Sequence, residues 1–188
     1  MLVTRCRNIQ VARSTRKELD VLDGAHVTIF SSAFGWMAVA WKGVSLTRIS
    51  FGQSTPQQAL AVLGASEPHH PPRRIQGIVR RLQRFSEGDR VDFSNVQLDV
   101  SHLTAFQQRV IRQCRAIPYG ATVNYGELAR QVGSPRAARA VGNVMATNRF
   151  PLVVPCHRVV AANGALGGYS APNGLAIKLR LLRNENAW

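Results

Sequence analysis

The sequence predicts an α+β protein: a small N-terminal α/β part, an antiparallel sheet plus helix, followed by a helical C-terminal part that carries a helix-turn-helix. Three observations predict it. Residues 27–32, 35–41 and 44–51 are β-rich runs separated by turn-sized gaps. Residues 73–85 set Ile75, Ile78, Val79 and Leu82 at helical spacing, with arginines on the other face. Beyond residue 104, two helical stretches are joined by only Gly133-Ser134-Pro135, the layout of a helix-turn-helix.

Each element follows in order. Residues 1–23 are polar and basic (Arg5, Arg7, Arg13, Arg16, Lys17) and read as an N-terminal extension, with a mobile arm and a short helix both open. After the three strands, residues 56–65 have helical composition and end near Gly64. Pro71-Pro72 makes the preceding stretch a loop, because consecutive prolines stop a helix. Residues 93–100 fit a strand or an extended linker. The boundary between an N-terminal structural domain, 24–100, and a C-terminal domain, 101–188, is placed near Ser101. Thr104 is the expected N-cap of a helix reaching about Ala116, which Pro118-Tyr119-Gly120 breaks. A short helix over 125–132 closes at Gly133. Ser134-Pro135 is expected to open the next helix, from Arg136 to about Thr147.

Composition narrows the function. With 188 residues and 45% hydrophobic content, the chain can bury a core for one or two small domains. Lys and Arg number 24 against 10 Asp and Glu, a formal +14, and Lys17, Lys42 and Lys178 are the only lysines. An excess carried by arginine, a permanently charged fork of donors, suits phosphates and points to a nucleic acid. Three widely spaced cysteines, Cys6, Cys114 and Cys156, do not form a disulfide framework. No ligand-spaced Cys or His pair suggests a metal, and no cofactor is expected. No apolar run is long enough to span a bilayer. A cytoplasmic protein working at the nucleoid or in the nucleus is therefore expected, with no membrane partner.

The chemistry concentrates at Pro155-Cys156-His157-Arg158-Val159, which follows the apolar run Phe150-Pro151-Leu152-Val153-Val154. A thiol attacks electrophiles as the thiolate, and a basic neighbour eases its formation. An inert buried cysteine, a metal ligand and a Cys-His hydrolase are the competing readings of that pair alone. Adjacent side chains diverge in regular structure, so cooperation requires a turn, which Pro155 favours.

Those residues are not isolated. Thr104-Ala105-Phe106-Gln107, Ile117-Pro118-Tyr119-Gly120, Tyr125-Gly126-Glu127-Leu128-Ala129, Ala138-Arg139-Ala140-Val141-Gly142, Gly168-Tyr169-Ser170 and the closing Lys178, Leu181-Leu182 and Glu185 stand with the Cys-His pentapeptide. In that order they resemble the O6-alkylguanine-DNA alkyltransferase family, strongly over 104–185 and weakly over 27–51. The resemblance implies a ribonuclease-H-like N-terminal domain and a winged-helix-like C-terminal one. It implies direct-reversal DNA repair: irreversible, single-turnover transfer of an alkyl group from guanine O6, and from thymine O4, to Cys156. The partner is double-stranded DNA containing O6-alkylguanine; a monomer is expected, with cooperativity on DNA open.

Roles carry over residue by residue. Cys156 is the acceptor, His157 a base acting through a water, Glu185 the residue that holds His157, and Asn148 a brace of the turn. Tyr125 donates to the leaving base, the carbonyls of Cys156 and Val159 accept its exocyclic amine, Met145 and Tyr169 line the pocket, and the Ser170 N–H lies near O6. Arg139 fills the gap left by the flipped base, with Ala138, Gly142, Arg136 and Thr104 against DNA. The chain departs from the family pattern at Ala171-Pro172-Asn173-Gly174, where a shorter glycine-rich stretch is common, and at Arg149-Phe150, where a proline is common. A non-catalytic, lesion-binding relative would lack the acceptor cysteine. A sequence-reading helix-turn-helix regulator would need more base-reading side chains than this alanine-rich helix offers.

Overall fold

The structure, a computed structural model, describes residues 24–188. The basic stretch 1–23 lies outside the described residues.

The N-terminal half is built on a meander of β1 (His26–Ser32), β2 (Gly35–Lys42) and β3 (Ser45–Gln53), antiparallel in the order β1-β2-β3. The β1–β2 turn needs Gly35. Its φ is +96°, and a Cβ there would sit 2.8 Å from the Gln53 carbonyl. One end of β3 therefore packs closely against this turn. Helix α1 (Pro56–Val62) lies on the sheet and is capped by Thr55. It stops before the expected residue 65 because Leu63 ends it and Gly64 turns left-handed at φ +74°.

Helix α2 (Arg73–Ser86) buries Ile75, Ile78, Leu82 and Phe85, the stripe that its periodicity predicts. Burying four such side chains contributes several kcal/mol, about 1.5–3 kcal/mol each as an upper bound. The segment 93–100 is extended but forms no ladder. It touches the sheet through a single bridge, Leu46 to Leu98, with Leu46 and Asp99 donating to Gln97 and Leu46 carbonyls.

Helix α3 (Ala105–Arg115) begins at Thr104, whose hydroxyl accepts from the Gln107 N–H while the Gln107 side chain accepts from the Thr104 N–H. Asn124 and Glu127 form the same reciprocal cap on α4 (Tyr125–Gln131). Helix α5 is Ala138–Ala146. It starts two residues later than expected, and Arg136 precedes it. The Ser134-Pro135 stretch forms a turn closed by Ala137 N–H donating to the Ser134 carbonyl, and Ala137, the residue before the helix, offers no side-chain cap.

Two features aim the C-terminal half at the Cys156 segment. A short parallel pair, β4 (Val123–Asn124) with β5 (Val159–Val160), sets Val123 opposite Val159. Tyr125, the first residue of α4, is thereby held beside the turn that ends at Arg158. Helix α6 (Gly174–Asn184) then returns across that turn, burying Ile177, Lys178, Leu181 and Leu182. A single apolar cluster runs from Phe51 and Phe85 through Ile111 to Val154 and Leu181, so both halves of the chain share one core.

Candidate active site

Residues Cys156–Arg158 form one 3-10 turn, buried throughout. The approach to it is unusual. Leu152 is buried at φ +72°, a conformation that costs a non-glycine residue about 1–2 kcal/mol. It reverses the chain so that Pro151 bridges Val154. The strain is held by the apolar core and sits four residues before the thiol.

In a turn of three residues per revolution, adjacent side chains point about 120° apart. Cys156 and His157 accordingly diverge. The His157 Nε2 lies 2.9 Å from Glu185 Oε1, while its Nδ1 is buried with no hydrogen-bond partner. Arg158 completes the cluster. Its Nε and Nη2 donate to the two Glu185 oxygens at 2.7 and 2.8 Å, and Nη1 donates to the Ile117 carbonyl at 2.7 Å. Gly120, at φ +78°, leaves room for this corner: a Cβ there would meet the Glu185 carbonyl at 3.0 Å. From the other half of the chain, the Phe85 ring abuts His157.

The electrostatics follow from this burial. Desolvation alone would raise the Glu185 carboxyl, yet hydrogen bonds from His157 and Arg158 hold it at about 2. Desolvation lowers the His157 imidazole, and the Glu185 hydrogen bond and charge recover only part of that loss. The resting arrangement is a neutral imidazole against an ionised carboxylate.

Asn148 sits on the sulfur. Its Nδ2 donates to Cys156 Sγ at 3.2 Å and to the Val154 carbonyl at 3.0 Å, and its Oδ1 accepts from the Phe150 N–H. Burial pushes the Cys156 thiol up, opposed by Asn148, by the nearby Tyr169 hydroxyl and by the Lys178 charge. Of these, only Asn148 meets full hydrogen-bond geometry on the sulfur; the Tyr169 hydroxyl is buried without such a partner. The thiol is thus protonated at neutral pH.

Cys156 opens onto a cavity of about 290 Å³ that Tyr125, Gly142, Met145, Tyr169 and Ser170 also line. Gly142 of α5 leaves the Tyr125 ring space, and Gly167, at φ +69°, is held to glycine by that ring, 3.2 Å from where a Cβ would stand. Ser170 Oγ donates to the Ala146 carbonyl, fastening the cavity wall to α5. Tyr125, Met145, Tyr169 and Ser170 are therefore gathered around the sulfur. Val159 follows the turn as the first residue of β5. Ala138, Arg139 and Gly142 lie on α5, with Arg139 exposed, whereas Arg136 and Thr104 are exposed outside any helix.

Sequence reasoning did not foresee the work of Lys178. It is fully buried on α6, and its ammonium donates to the carbonyls of Val159 and Leu166, with Gly168 at 3.5 Å. It ties the cavity wall to β5. The available signal was a lone lysine on the apolar face of α6, beside Ile177 and Leu181. Desolvation lowers it to about 8. Between about 8 and 10.5 the unfolded chain holds more protons, so stability rises with pH across that window; below 8 the cost of burying the cation is complete. Lys178→Met should strand the buried Val159 carbonyl and the part-buried Leu166 carbonyl at a cost of about 1–3 kcal/mol. Urea unfolding of the variant should show this loss, together with a flatter pH dependence between 8 and 10.

Among the described residues, no group of three or more His, Cys, Asp or Glu side chains is placed to hold a metal. His26 of β1 and His69 of the loop before α2 meet edge to face, and neither belongs to such a group. No helix of the described residues is long and apolar enough to cross a membrane.

The described residues thus combine one apolar core shared by both halves of the chain, a buried cysteine at a cavity of about 290 Å³, and an exposed arginine on the helix beside it. Residues 105–187 match the family model described as "6-O-methylguanine DNA methyltransferase, DNA binding domain". The chain is 37% identical over 164 residues to the methylated-DNA–protein-cysteine methyltransferase of Mycobacterium tuberculosis, covering 86% of this chain and 93% of that one. The protein of the same name from Mycolicibacterium paratuberculosis is 45% identical over 114 residues, 61% of this chain and 67% of that one. Among solved structures, M. tuberculosis OGT in complex with DNA aligns at a TM-score of 0.71 and 36% identity, over 86% of this chain and 93% of that one. The O6-methylguanine-DNA methyltransferase of Pyrococcus kodakaraensis aligns at 0.63 and 26%, over 86% and 98%. The chain belongs to the methylated-DNA–protein-cysteine methyltransferase family. It binds DNA and repairs it by direct reversal, moving an alkyl group to cysteine.

Proposed function

We propose that Cys156 takes the alkyl group from O6 of a guanine flipped into the 290 Å³ cavity, once per molecule. The observation that carries this is the buried Cys156 sulfur at the wall of that cavity, one residue before a histidine locked to Glu185. In the transfer the S–C bond forms as the C–O6 bond breaks. The thiol proton passes through one water to His157 Nδ1, the face of the ring that Glu185 does not occupy. Glu185 stabilises the imidazolium so formed, and the proton ends on the departing guanine. Tyr125 donates to that base as it gains charge. The product thioether is stable, so the protein is spent. Thymine O4 would be served by the same geometry.

Keeping the thiol protonated at rest suits a sacrificial nucleophile. A free thiolate would react with other oxidants and alkylators. Asn148 holds the sulfur in place, and the proton leaves only when the base closes the site. The C-terminal residues 101–188 would carry binding and transfer; the protein would act as a monomer, and footprint size on DNA decides whether loading is cooperative.

Arg139 is assigned to the gap left in the duplex, with Ala138 and Gly142 allowing close approach and Arg136 and Thr104 on flanking phosphates. Arg139→Ala should slow transfer from a duplex by about tenfold or more and leave transfer from the free modified base nearly intact, because only the duplex has a gap to fill. DNA affinity of the native chain should fall steeply with salt as arginines release counterions. Intact-mass spectrometry after incubation with O6-methylguanine DNA tests the whole reading. One methyl mass on Cys156 is expected; an unmodified Cys156 in excess substrate would overturn it.

A further inference from the structure

A second cavity, of about 140 Å³, borders Cys156 from the side of the N-terminal sheet. It shares Met145, Cys156, Tyr169 and Ser170 with the base cavity, so the sulfur stands in a wall common to both. Its remaining lining is mixed: Ile49, Phe51, Val62 and Pro151 are apolar, and the polar groups are concentrated on β3. Strand β3 supplies Arg48, Ser50 and Gln53, and the loop after Ser170 supplies Pro172. The two sides touch: a side chain at Gly52 would meet the Pro172 ring at 3.6 Å. Gln53 Nε2 donates to the buried Ser50 hydroxyl at 3.2 Å, which sets an amide and a hydroxyl side by side in this wall.

Displacement chemistry gives the cavity a use. Sulfur, carbon and O6 are collinear in the transition state, so whatever the carbon carries projects sideways from that line. A methyl group needs no such space. A longer substituent must enter a chamber bordering the sulfur but outside the base cavity, and this is the one at hand. A cavity of about this size holds a benzene ring in a protein interior. The polar groups Arg48, Ser50 and Gln53 in its largely apolar lining come from the half of the chain otherwise devoted to structure.

We infer that the β3 wall selects the substituent, Gln53 and Ser50 favouring O6-alkyl groups with a hydrogen-bonding terminus over apolar ones of equal length. This rests on the proposed transfer to Cys156 and adds that the N-terminal sheet sets its range. In the native chain, Gln53 binds the substituent's terminus through its amide and Ser50 orients that amide.

The test is single-turnover transfer from one duplex carrying O6-methyl-, O6-butyl- or O6-(4-hydroxybutyl)guanine, with the two longer groups compared as a ratio within each protein. The native chain should favour hydroxybutyl over butyl by about fivefold, the scale of one net hydrogen bond. Gln53→Leu should bring that ratio to one or below, and Ser50→Ala should reduce it. A native ratio of one, or a ratio that survives both substitutions, overturns the inference. Equal slowing of all three substrates by Gln53→Leu also overturns it, since that is the mark of a merely structural residue. Absence of methyl transfer in the native chain is a separate result, which sinks the acceptor reading itself.

Discussion

Cys156→Ser is expected to bind duplex DNA with native affinity and to gain no alkyl mass. The substitution exchanges sulfur for oxygen in a site that Asn148 already supplies with a donor, 3.2 Å from the sulfur. Serine can accept that bond, so the turn and the cavity should survive and the salt dependence of binding should not change. What is lost is the nucleophile. A hydroxyl needs a far stronger base than a neutral imidazole reaching it through water, and burial raises that demand further. Removing a nucleophile from an active-site group typically costs a factor on the order of 10⁴ or more. Gel-shift titration with intact-mass spectrometry on the same sample separates the two effects. Native-like transfer by the variant would mean that sulfur is not the acceptor. Lost DNA affinity would mean that the thiol holds the binding surface together.

The fold and the site were legible in the sequence to different degrees, for physical reasons. Period-two and period-3.6 patterns report which face of an element is buried, so β1 to β3 and α2 emerged from the residues alone. Capping chemistry is equally local, which is why Thr104 marked its helix correctly. The start of α5 was misplaced because Ser134-Pro135 is as good a turn as a helix opening, and the choice depends on what the next residues pack against. The site was legible as a list of residues but not as a geometry. The sequence set Cys156 beside His157, whereas the 3-10 turn turns them apart and delivers the imidazole to Glu185. The paired hydrogen bonds of Arg158 to Glu185 likewise join residues 27 apart in the chain, brought together only where α6 ends. The three-carbonyl setting of Lys178 and the β3 wall of the second cavity are long-range features that no local pattern encodes.

Glu185→Ala is expected to give the largest loss of stability of any substitution at the site, about 3–5 kcal/mol, because it leaves the buried Arg158 charge without its counter-charge. The carboxylate accepts from four nitrogens, Arg158 Nε and Nη2, His157 Nε2 and, at 3.4 Å, the Gly120 N–H, and its side chain is wholly buried. The pH dependence carries the same signature. Glu185 titrates at about 2 in the folded chain against an ordinary value of 4.5, so the unfolded state binds its proton first as pH falls. The carboxylate's contribution is complete above about 4.5 and lost progressively as pH falls toward 2. The difference between about 2 and 4.5, at roughly 1.4 kcal/mol per pH unit, comes to roughly 3.5 kcal/mol. Urea unfolding at pH 7 and pH 3 should therefore show the native chain losing much of this increment while Glu185→Ala, already without it, changes less. Glu185→Gln separates stability from chemistry. It keeps the shape and one acceptor, so it should fold better than the alanine variant, yet it cannot balance an imidazolium on His157. Slow alkyl transfer by a folded Glu185→Gln protein, with DNA affinity retained, would assign the carboxylate to the proton path. Native transfer rates in that variant would reduce it to a structural anchor for Arg158.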